Sequence, residues 1–281
     1  MKNNGHVFCF LIPFFLIISQ KNYAQTAAET LRINKLVRQR TVSLFNGRNL
    51  AGWYTFLQKQ GRDKDPDQVF KVERKQIHIS GYEYGCITTD KEYEDYDLEV
   101  EFKWGSKTHE PRINAARDNG VLIHSQGKDG AFSGNWMYSI ECQIIEGGTG
   151  DFLVVGDGSD KFSITCPVAP QNQGGAYFYK PDGDTVTIHK GRINWFARDP
   201  GWKDVKGFRG AKDIEKPVGK WNKIRVIAMD DDVYFYLNGV LVNRAMRVRP
   251  SVGRIQIQSE GAEMFVRKVE LTPLLAVPQP Q

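Results

Sequence analysis

Alternating apolar and polar positions run through most of this chain. In residues 97–104 four side chains fall on one face: Leu98, Val100, Phe102 and Trp104. This period is typical of a strand with one buried face. The same period recurs in Ile224–Met229, Val233–Leu237, Arg254–Gln258 and Met264–Leu271. Many short strands without a long amphipathic helix predict an all-β sandwich or barrel.

One region interrupts this rhythm. Gly147–Pro217 is rich in Gly, Asp and aromatic residues and predicts a long loop insertion. Long ordered loops are often functional. Aromatic faces pack well against sugar rings, so Tyr177 and Trp195, with Lys180, are candidate substrate contacts. The alternative is that these rings fasten the loop to the sandwich.

The two ends of the chain have sequence features that differ from those of its middle. Residues 1–24 combine an early Lys2, an apolar run and Asn22-Tyr23-Ala24 before Gln25, as in a signal peptide. Residues 25–40 form an N-terminal extension with a short helix predicted over Thr26–Arg40. A single domain is predicted over 41–274, with a tail at 275–281. We therefore expect an exported protein, periplasmic or secreted, without a membrane span.

Composition narrows the possible partners. The 281 residues carry a formal net charge of +5, and their basic and acidic positions are interleaved. The sequence contains no stripe of basic residues of the kind that binds nucleic acid. No nucleotide cofactor is predicted. Cys86, Cys142 and Cys166 allow at most one disulfide. Cys142 lies on the apolar side of its strand, so a buried thiol is favoured over a nucleophile.

The candidate chemistry centres on Ser139–Asp151, SIECQIIEGGTGD. Glu141 and Gln143 share one face of a strand. Glu146 would join them only if a β-bulge occurs near Ile144–Ile145. The pattern then resembles the carboxylate pair of a glycosidase, but with a neutral amide in the middle.

Six segments, in order, resemble one known family. They are Leu44–Trp53, Asn119–His124, Ser139–Asp151, Gly175–Tyr177, Trp221–Val240 and Gly253–Arg267. Together they are similar to the 3-keto-disaccharide hydrolase family, also called the 3-keto-glucoside-1,2-lyase/3-keto-2-hydroxy-glucal hydratase family. The resemblance implies a concanavalin A-like jelly roll. The sequence differs from many members at His124, where they carry Arg, and at Ser259-Glu260, where they carry Asp-His.

The resemblance also implies a reaction. A carbonyl at C3 of a glycoside acidifies the C2–H bond, so a base removes that proton, the C1 substituent leaves, and water adds to the product. Glu141 or Glu146 would act as the base and the other as acid or metal ligand, with His124 as a rival base. The sugar would contact Gln143 and a second group of residues: Arg254, Gln256, Gln258 and Glu260. A divalent metal held by Glu141, Glu146 and His124 is a further hypothesis.

Several alternatives remain open at this stage. The chain could be an endo-glycosidase of the laminarinase type, although Gln143 replaces the middle carboxylate of that motif. It could be a lectin-like carbohydrate-binding module without catalysis. Glu141 could be an exposed carboxylate paired across strands, and His124 a strand-end residue bonded to backbone. The oligomeric state, the glycoside and the anomer stay undetermined.

Overall fold

The structure, a computed structural model, describes Ile33, residues 36–171 and residues 174–275. In these residues the chain forms nineteen strands: β1 (Val37–Arg38), β2 (Val42–Ser43), β3 (Trp53–Leu57), β4 (Gly61–Arg62), β5 (Phe70–Glu73), β6 (Gln76–Ile79), β7 (Gly85–Thr89), β8 (Tyr96–Thr108), β9 (Asp118–Gln126), β10 (Tyr138–Ile145), β11 (Phe152–Val155), β12 (Ser163–Val168), β13 (Asp184–Ile188), β14 (Gly191–Ile193), β15 (Asn222–Met229), β16 (Asp232–Leu237), β17 (Val240–Arg249), β18 (Arg254–Ser259) and β19 (Ala262–Leu275).

The strands form two antiparallel sheets. The larger sheet has the order β13-β12-β17-β16-β15-β8-β19-β6-β5, with β1 and β2 also paired to β19. The smaller sheet has the order β14-β11-β10-β9-β18-β7-β3-β4. Sequence neighbours are often separated within a sheet, which is the crossing pattern of a jelly roll. The predicted all-β, concanavalin A-like jelly-roll sandwich is confirmed.

A single apolar core lies between the sheets. Leu98 and Val226 of the larger sheet and Val121 and Ile140 of the smaller one belong to the same fully buried cluster. The Phe152 and Phe235 rings, one from each sheet, stack with centroids 3.8 Å apart. The one-sided apolar pattern of each strand therefore fixes which face of each sheet is internal.

The strands predicted from alternation are present. Asp97–Trp104 lies within β8, Ile224–Met229 within β15, and Val233–Leu237 within β16. The loop insertion begins later than predicted, because Gly147–Pro217 contains β11 to β14. These strands are only three to six residues long, so their alternation of apolar and polar residues is too short to predict a strand from the sequence. The irregular part of the insertion runs from 194 to 221.

The ends of the domain also differ from expectation. Within the predicted helix Thr26–Arg40, Val37 and Arg38 form β1 and pair with Leu275 and Leu274. The helix prediction is therefore wrong at these residues, because hydrogen bonds to β19 hold them extended. The predicted signal peptide and most of the tail lie outside the described residues. Within the described part, no helix is both long and apolar enough to cross a bilayer.

Candidate active site

The outer face of the smaller sheet carries the candidate site. On β10, Ile140, Cys142 and Ile144 belong to the core, so Glu141 and Gln143 project from the opposite face. Glu141 is directly opposite Leu122, and Gln143 is opposite Gly120. The predicted placement of Glu141 and Gln143 on one face is thus confirmed. Both side chains are buried, at 3% exposure each.

Gly120 opens the floor of this site. A Cβ at this position would collide with the Glu141 carboxylate and with the Gln258 carboxamide. Glu141 Oε1 and both polar atoms of the Gln258 side chain have no hydrogen-bond partner among the described residues. Buried polar atoms without partners are costly. Their convergence therefore indicates a place where a ligand supplies the missing hydrogen bonds.

A second carboxylate, Asp118, adjoins Gln143. The Gln143 Nε2 group donates to Asp118 Oδ1 at 2.6 Å. The other Asp118 oxygen lies 3.4 Å from Arg112 Nη2, and Arg112 in turn donates to Asp204 Oδ1 at 2.7 Å. Gln143 Oε1 has no partner among the described residues. The amide therefore presents its oxygen, and not its nitrogen, as the available group.

Burial raises the pKa values of the carboxyl groups in the site. It raises the pKa of Glu141 to about 8, with a further contribution from the Asp118 charge and opposition from Arg192. Burial also raises the pKa of Asp118 to about 7, opposed by Arg112. The pKa of Glu260, on the segment after β18, is raised well above its usual value by burial and by these two carboxylates. A carboxylate with a pKa near 8 is a stronger base than an exposed one.

Basic residues border the site on the β14 side. Asp151 Oδ2 is shared by two guanidinium groups, Arg192 at 3.0 Å and Arg198. Arg198 also lies 4.3 Å from the centre of the Trp202 ring. Arg192 acts on the pKa values of both Glu141 and Asp118. The site therefore combines buried carboxyl groups with positive charge fixed by an ion-pair network.

Aromatic residues border the opposite side. Trp136 packs with Leu122 and Cys86 on the outer face. Its ring stacks with Tyr84 at 6.3 Å and with Phe132 at 6.4 Å, and its Nε1 donates to Gly85 O at 3.1 Å. Leu122 is the neighbour of Glu141 across the strands, so this aromatic cluster adjoins the carboxylate. Trp136 itself is buried, at 6% exposure, so the half-buried Tyr84 and Phe132 rings are the part of this cluster that offers a surface to a sugar.

A comparison with protein families identifies the chain. The model of the 3-keto-alpha-glucoside-1,2-lyase-like domain matches residues 40–272. The chain belongs to this family. It is thus a carbohydrate-active protein with a saccharide partner. No curated protein matches the chain in sequence.

Solved structures similar to this chain have low sequence identity to it. A candidate glycosyl hydrolase from Parabacteroides distasonis ATCC 8503 has a TM-score of 0.48 and 20% identity, over 84% of this chain and 94% of the other. The β-glucanase of Bacillus licheniformis has a TM-score of 0.42 and 10% identity, over 83% and 96%. The carbohydrate-binding module CBM66 of Bacillus subtilis has a TM-score of 0.39 and 12% identity, over 78% and 94%.

Glu146 lies apart from Glu141. The predicted bulge near Ile144–Ile145 is wrong, because β10 pairs with β9 in regular register up to Ile145. The register shift occurs instead between Tyr138 and Ile140. Glu146 accepts from Arg117 Nη1 at 2.7 Å and from Gly207 N at 2.7 Å. It thus lies just beyond the end of β10, tied into a buried ion pair.

His124 also points away from the outer face. It has a φ of 53° at the register shift between β9 and its neighbours. Its ring meets the core residue Tyr96 edge-on at 5.8 Å, and its Nδ1 lies 2.9 Å from Pro250 O. Burial lowers its pKa to about 4. His124 therefore does not share a face with Glu141, because the bulge turns its side chain inward, and this position does not fit the predicted role of a rival base.

The proposed metal ligands do not come together. Glu141 faces outward, Glu146 is paired with Arg117, and His124 lies between the sheets. Among the described residues, no group of three His, Cys, Asp or Glu side chains is arranged to hold a metal ion. The predicted ligand set Glu141, Glu146 and His124 thus does not fit a metal.

Tyr177 and Trp195, the aromatic residues of the insertion that were predicted as sugar contacts, pack against the core. Trp195 is 1% exposed and belongs to the core cluster. Its backbone N donates to Asp151 Oδ1 at 2.7 Å. Tyr177 packs partly against the same cluster, and its carbonyl accepts from Asn194. Lys180 is exposed and lies 3.6 Å from Asp182. The prediction of Trp195 as a sugar contact is wrong, since the ring is enclosed by the sandwich.

The candidates on β18 separate into two groups. Gln258 lies in the site, and Glu260 follows it, half-buried. Gln256 is internally satisfied: its Nε2 donates to Thr88 Oγ1 at 2.8 Å, and its Oε1 accepts from Met137 N at 3.2 Å. Arg254 donates to the carbonyls of Thr89 and Asp90. Gln256 and Arg254 therefore fasten neighbouring segments.

The sequence reading missed four residues of the site: Asp118, Gly120, Arg192 and Trp136. Asp118 and Gly120 were detectable, because both alternate onto the outer face, Asp118 immediately before the recognised segment Asn119–His124 and Gly120 within it. Arg192 and Trp136 come from segments without clear alternation. Cys86, Cys142 and Cys166 are buried free thiols, so the disulfide predicted as possible among them does not form.

Proposed function

We propose that this protein is an enzyme that cleaves 3-keto-glycosides by elimination, with Glu141 as the base. The observation that supports this most is the buried Glu141 carboxylate, whose Oε1 has no partner among the described residues, beside the equally unpartnered Gln258 amide. A base must reach the proton that it removes, and its pKa should lie near the working pH. Glu141, with a pKa of about 8, meets the second condition.

The reaction follows from the acidity of a carbon next to a carbonyl. Glu141 takes the proton from C2, and the electron pair of that C–H bond passes into the enolate at C3. The enolate collapses to form the C1–C2 double bond as the C1–O bond breaks, and the leaving oxygen takes a proton. Water then adds across this double bond, returning a proton to C2 and a hydroxyl to C1. The product is a free 3-keto sugar.

The surrounding residues take complementary roles. The Gln258 carboxamide, over Gly120, donates a hydrogen bond to the developing enolate oxygen, while Gln143 orients the sugar. Arg192 supplies positive charge near that oxygen, and the Trp136 cluster packs against the ring face. The predicted export sequence at residues 1–24 favours a substrate met in the periplasm or outside the cell.

A hydrolase with two carboxylates is supported less well. That mechanism needs a second carboxyl group across the substrate from Glu141. Glu146 is paired with Arg117, and Gln143 cannot ionise. The carboxyl groups near Glu141 are instead Asp118, which binds Gln143, and Glu260, whose pKa is raised well above its usual value. A lectin-like module is the stronger alternative, because the amides and aromatic rings would also serve binding alone.

The deciding experiment uses the purified mature protein. It is incubated with a 3-keto-glucoside and with the matching unoxidised glucoside, with and without a chelator, and products are followed by NMR. Turnover of the keto substrate alone, with deuterium entering C2 in heavy water, is the expected result. Cleavage of the unoxidised glucoside would support a glycosidase instead. Binding without turnover would support a lectin, and loss with chelator would reveal a metal bound elsewhere.

A further inference from the structure

We infer that Asp118 is a positioning residue that fixes the orientation of the Gln143 carboxamide, so that the site selects sugars with a free hydroxyl group facing Gln143. This inference rests on the proposed function, because it assigns the sugar to the outer face at Glu141. It adds a specificity determinant that the sequence reading did not contain.

The hydrogen bond between Gln143 and Asp118 has a defined direction. Gln143 Nε2 lies 2.6 Å from Asp118 Oδ1. An ionised carboxylate only accepts hydrogen bonds, so above the Asp118 pKa of about 7 the amide nitrogen must face it. The reversed carboxamide would place two acceptor oxygens against each other. Gln143 Oε1 is therefore held toward the remaining space, where it is buried and unpartnered among the described residues.

Asp118 is itself held in place by Arg112. Asp118 is 6% exposed, and its Oδ2 lies 3.4 Å from Arg112 Nη2. Arg112 is fixed in turn, because it donates twice to the carbonyl of Ala116, at 2.8 and 3.1 Å, and once to Asp204. The carboxylate thus has little freedom to rotate, and the orientation of Gln143 is built into the fold.

The Gln143 Oε1 atom needs a hydrogen-bond donor from the ligand. A buried acceptor needs a donor, and a sugar hydroxyl is the donor that a glycoside offers. Fluorine in place of that hydroxyl keeps the size but cannot donate. Loss of the hydrogen bond should weaken use of the analogue on the order of 10- to 100-fold.

The test pairs substrate analogues with Asp118→Asn. A series of 3-keto-glucosides, each with one hydroxyl replaced by fluorine, is compared by kcat/KM. In the wild type, one analogue should lose on the order of 10- to 100-fold. In Asp118→Asn the same analogue should lose much less, because an amide at 118 accepts either orientation of Gln143. Asp160→Asn, whose side chain is 93% exposed, is the matched control and should behave as wild type.

Two further readouts separate positioning from a structural role. The Gln143 side-chain amide, assigned by NMR with Gln143→Glu, should show one proton shifted downfield and slow to exchange in the unliganded protein. Asp118→Asn should remove this signature. The acid limb of the kcat/KM profile should also move to lower pH, because the Asp118 charge raises the pKa of Glu141.

The outcomes distinguish the two proposals. If ketosugars bind without being cleaved, the elimination fails, and hydroxyl selection is then measured from dissociation constants. If cleavage occurs but every analogue responds alike in both proteins, the positioning role is overturned. A fast-exchanging Gln143 amide in the wild type overturns it without any variant. Failure to bind any ketosugar overturns the selection as well.

Discussion

Glu141 and Glu146 are buried glutamates on and just beyond one strand, and they differ in what surrounds them. Glu146 receives hydrogen bonds from Arg117 Nη1, Arg117 N and Gly207 N, so its charge is fully compensated. Glu141 has an oxygen without a partner among the described residues, and burial raises its pKa to about 8. Burial alone does not indicate a reactive carboxylate. Burial with an unsatisfied oxygen beside a glycine-lined space does.

The largest expected effect comes from exchanging each glutamate for glutamine. Glu141→Gln removes the base, so kcat should fall about 10³-fold, while ketosugar binding and the unfolding midpoint stay close to wild type. Glu146→Gln is the matched control, because it makes the same chemical change five positions along the chain. Its folded fraction should keep kcat. Steady-state kinetics with thermal melts would check both, and equal losses of kcat would remove the distinction between the two carboxylates.

The second effect is on stability. Glu146→Ala leaves Arg117 buried without its counter-charge, and breaking a buried ion pair in this way costs about 3–5 kcal/mol. Urea denaturation should show this loss as a lower midpoint with an unchanged slope. Glu141→Ala removes a carboxylate without an ionic partner and should cost clearly less. A larger loss for Glu141→Ala would mean that its environment is structural after all.

The third effect extends the comparison to His124, a buried group that faces the core. Its folded pKa of about 4 lies below its ordinary value of 6.5. Between these two pH values only the unfolded chain binds the proton, so stability is complete above pH 6.5 and falls as the pH drops toward 4. The shift corresponds to about 3 kcal/mol.

His124→Asn isolates this contribution, because Asn tolerates a positive φ. The difference in unfolding free energy between wild type and variant should grow with pH from 4 to 6.5 and then level off. Urea titrations at several pH values would measure it. A difference independent of pH would show that the imidazole is not buried in the neutral form.

The smallest expected change in stability comes from filling the space at Gly120. Gly120→Ala places a methyl group against Glu141 and Gln258, which should cost about 1–3 kcal/mol of stability and abolish sugar binding. Gly201→Ala is the control, since the nearest atom to its added Cβ is Asp199 Oδ1 at 3.3 Å. Calorimetric titration with a ketosugar would decide. Unchanged binding by Gly120→Ala would place the sugar elsewhere.

Much of the fold was readable from the sequence, but the site was readable only in part. The alternation in β8, β15 and β16 is long enough to predict both strand and buried face. Glu141 and Gln143 were predicted to share a face for the same reason. Glu146 and His124 were misplaced, because the position of a bulge depends on how two strands pair and not on one strand alone.

Local properties follow from the amino-acid sequence alone: the strand period, the internal face of each strand, and the kinds of polar groups available on β10 and β18. The tertiary structure decided which of those groups meet. Asp118, Gln143, Glu141 and Gln258 come from three strands whose neighbours are set by the jelly-roll crossings. Burial and unpaired hydrogen-bonding atoms exist only once those strands are packed, so the raised pKa of Glu141 and the fixed orientation of Gln143 are properties of the fold.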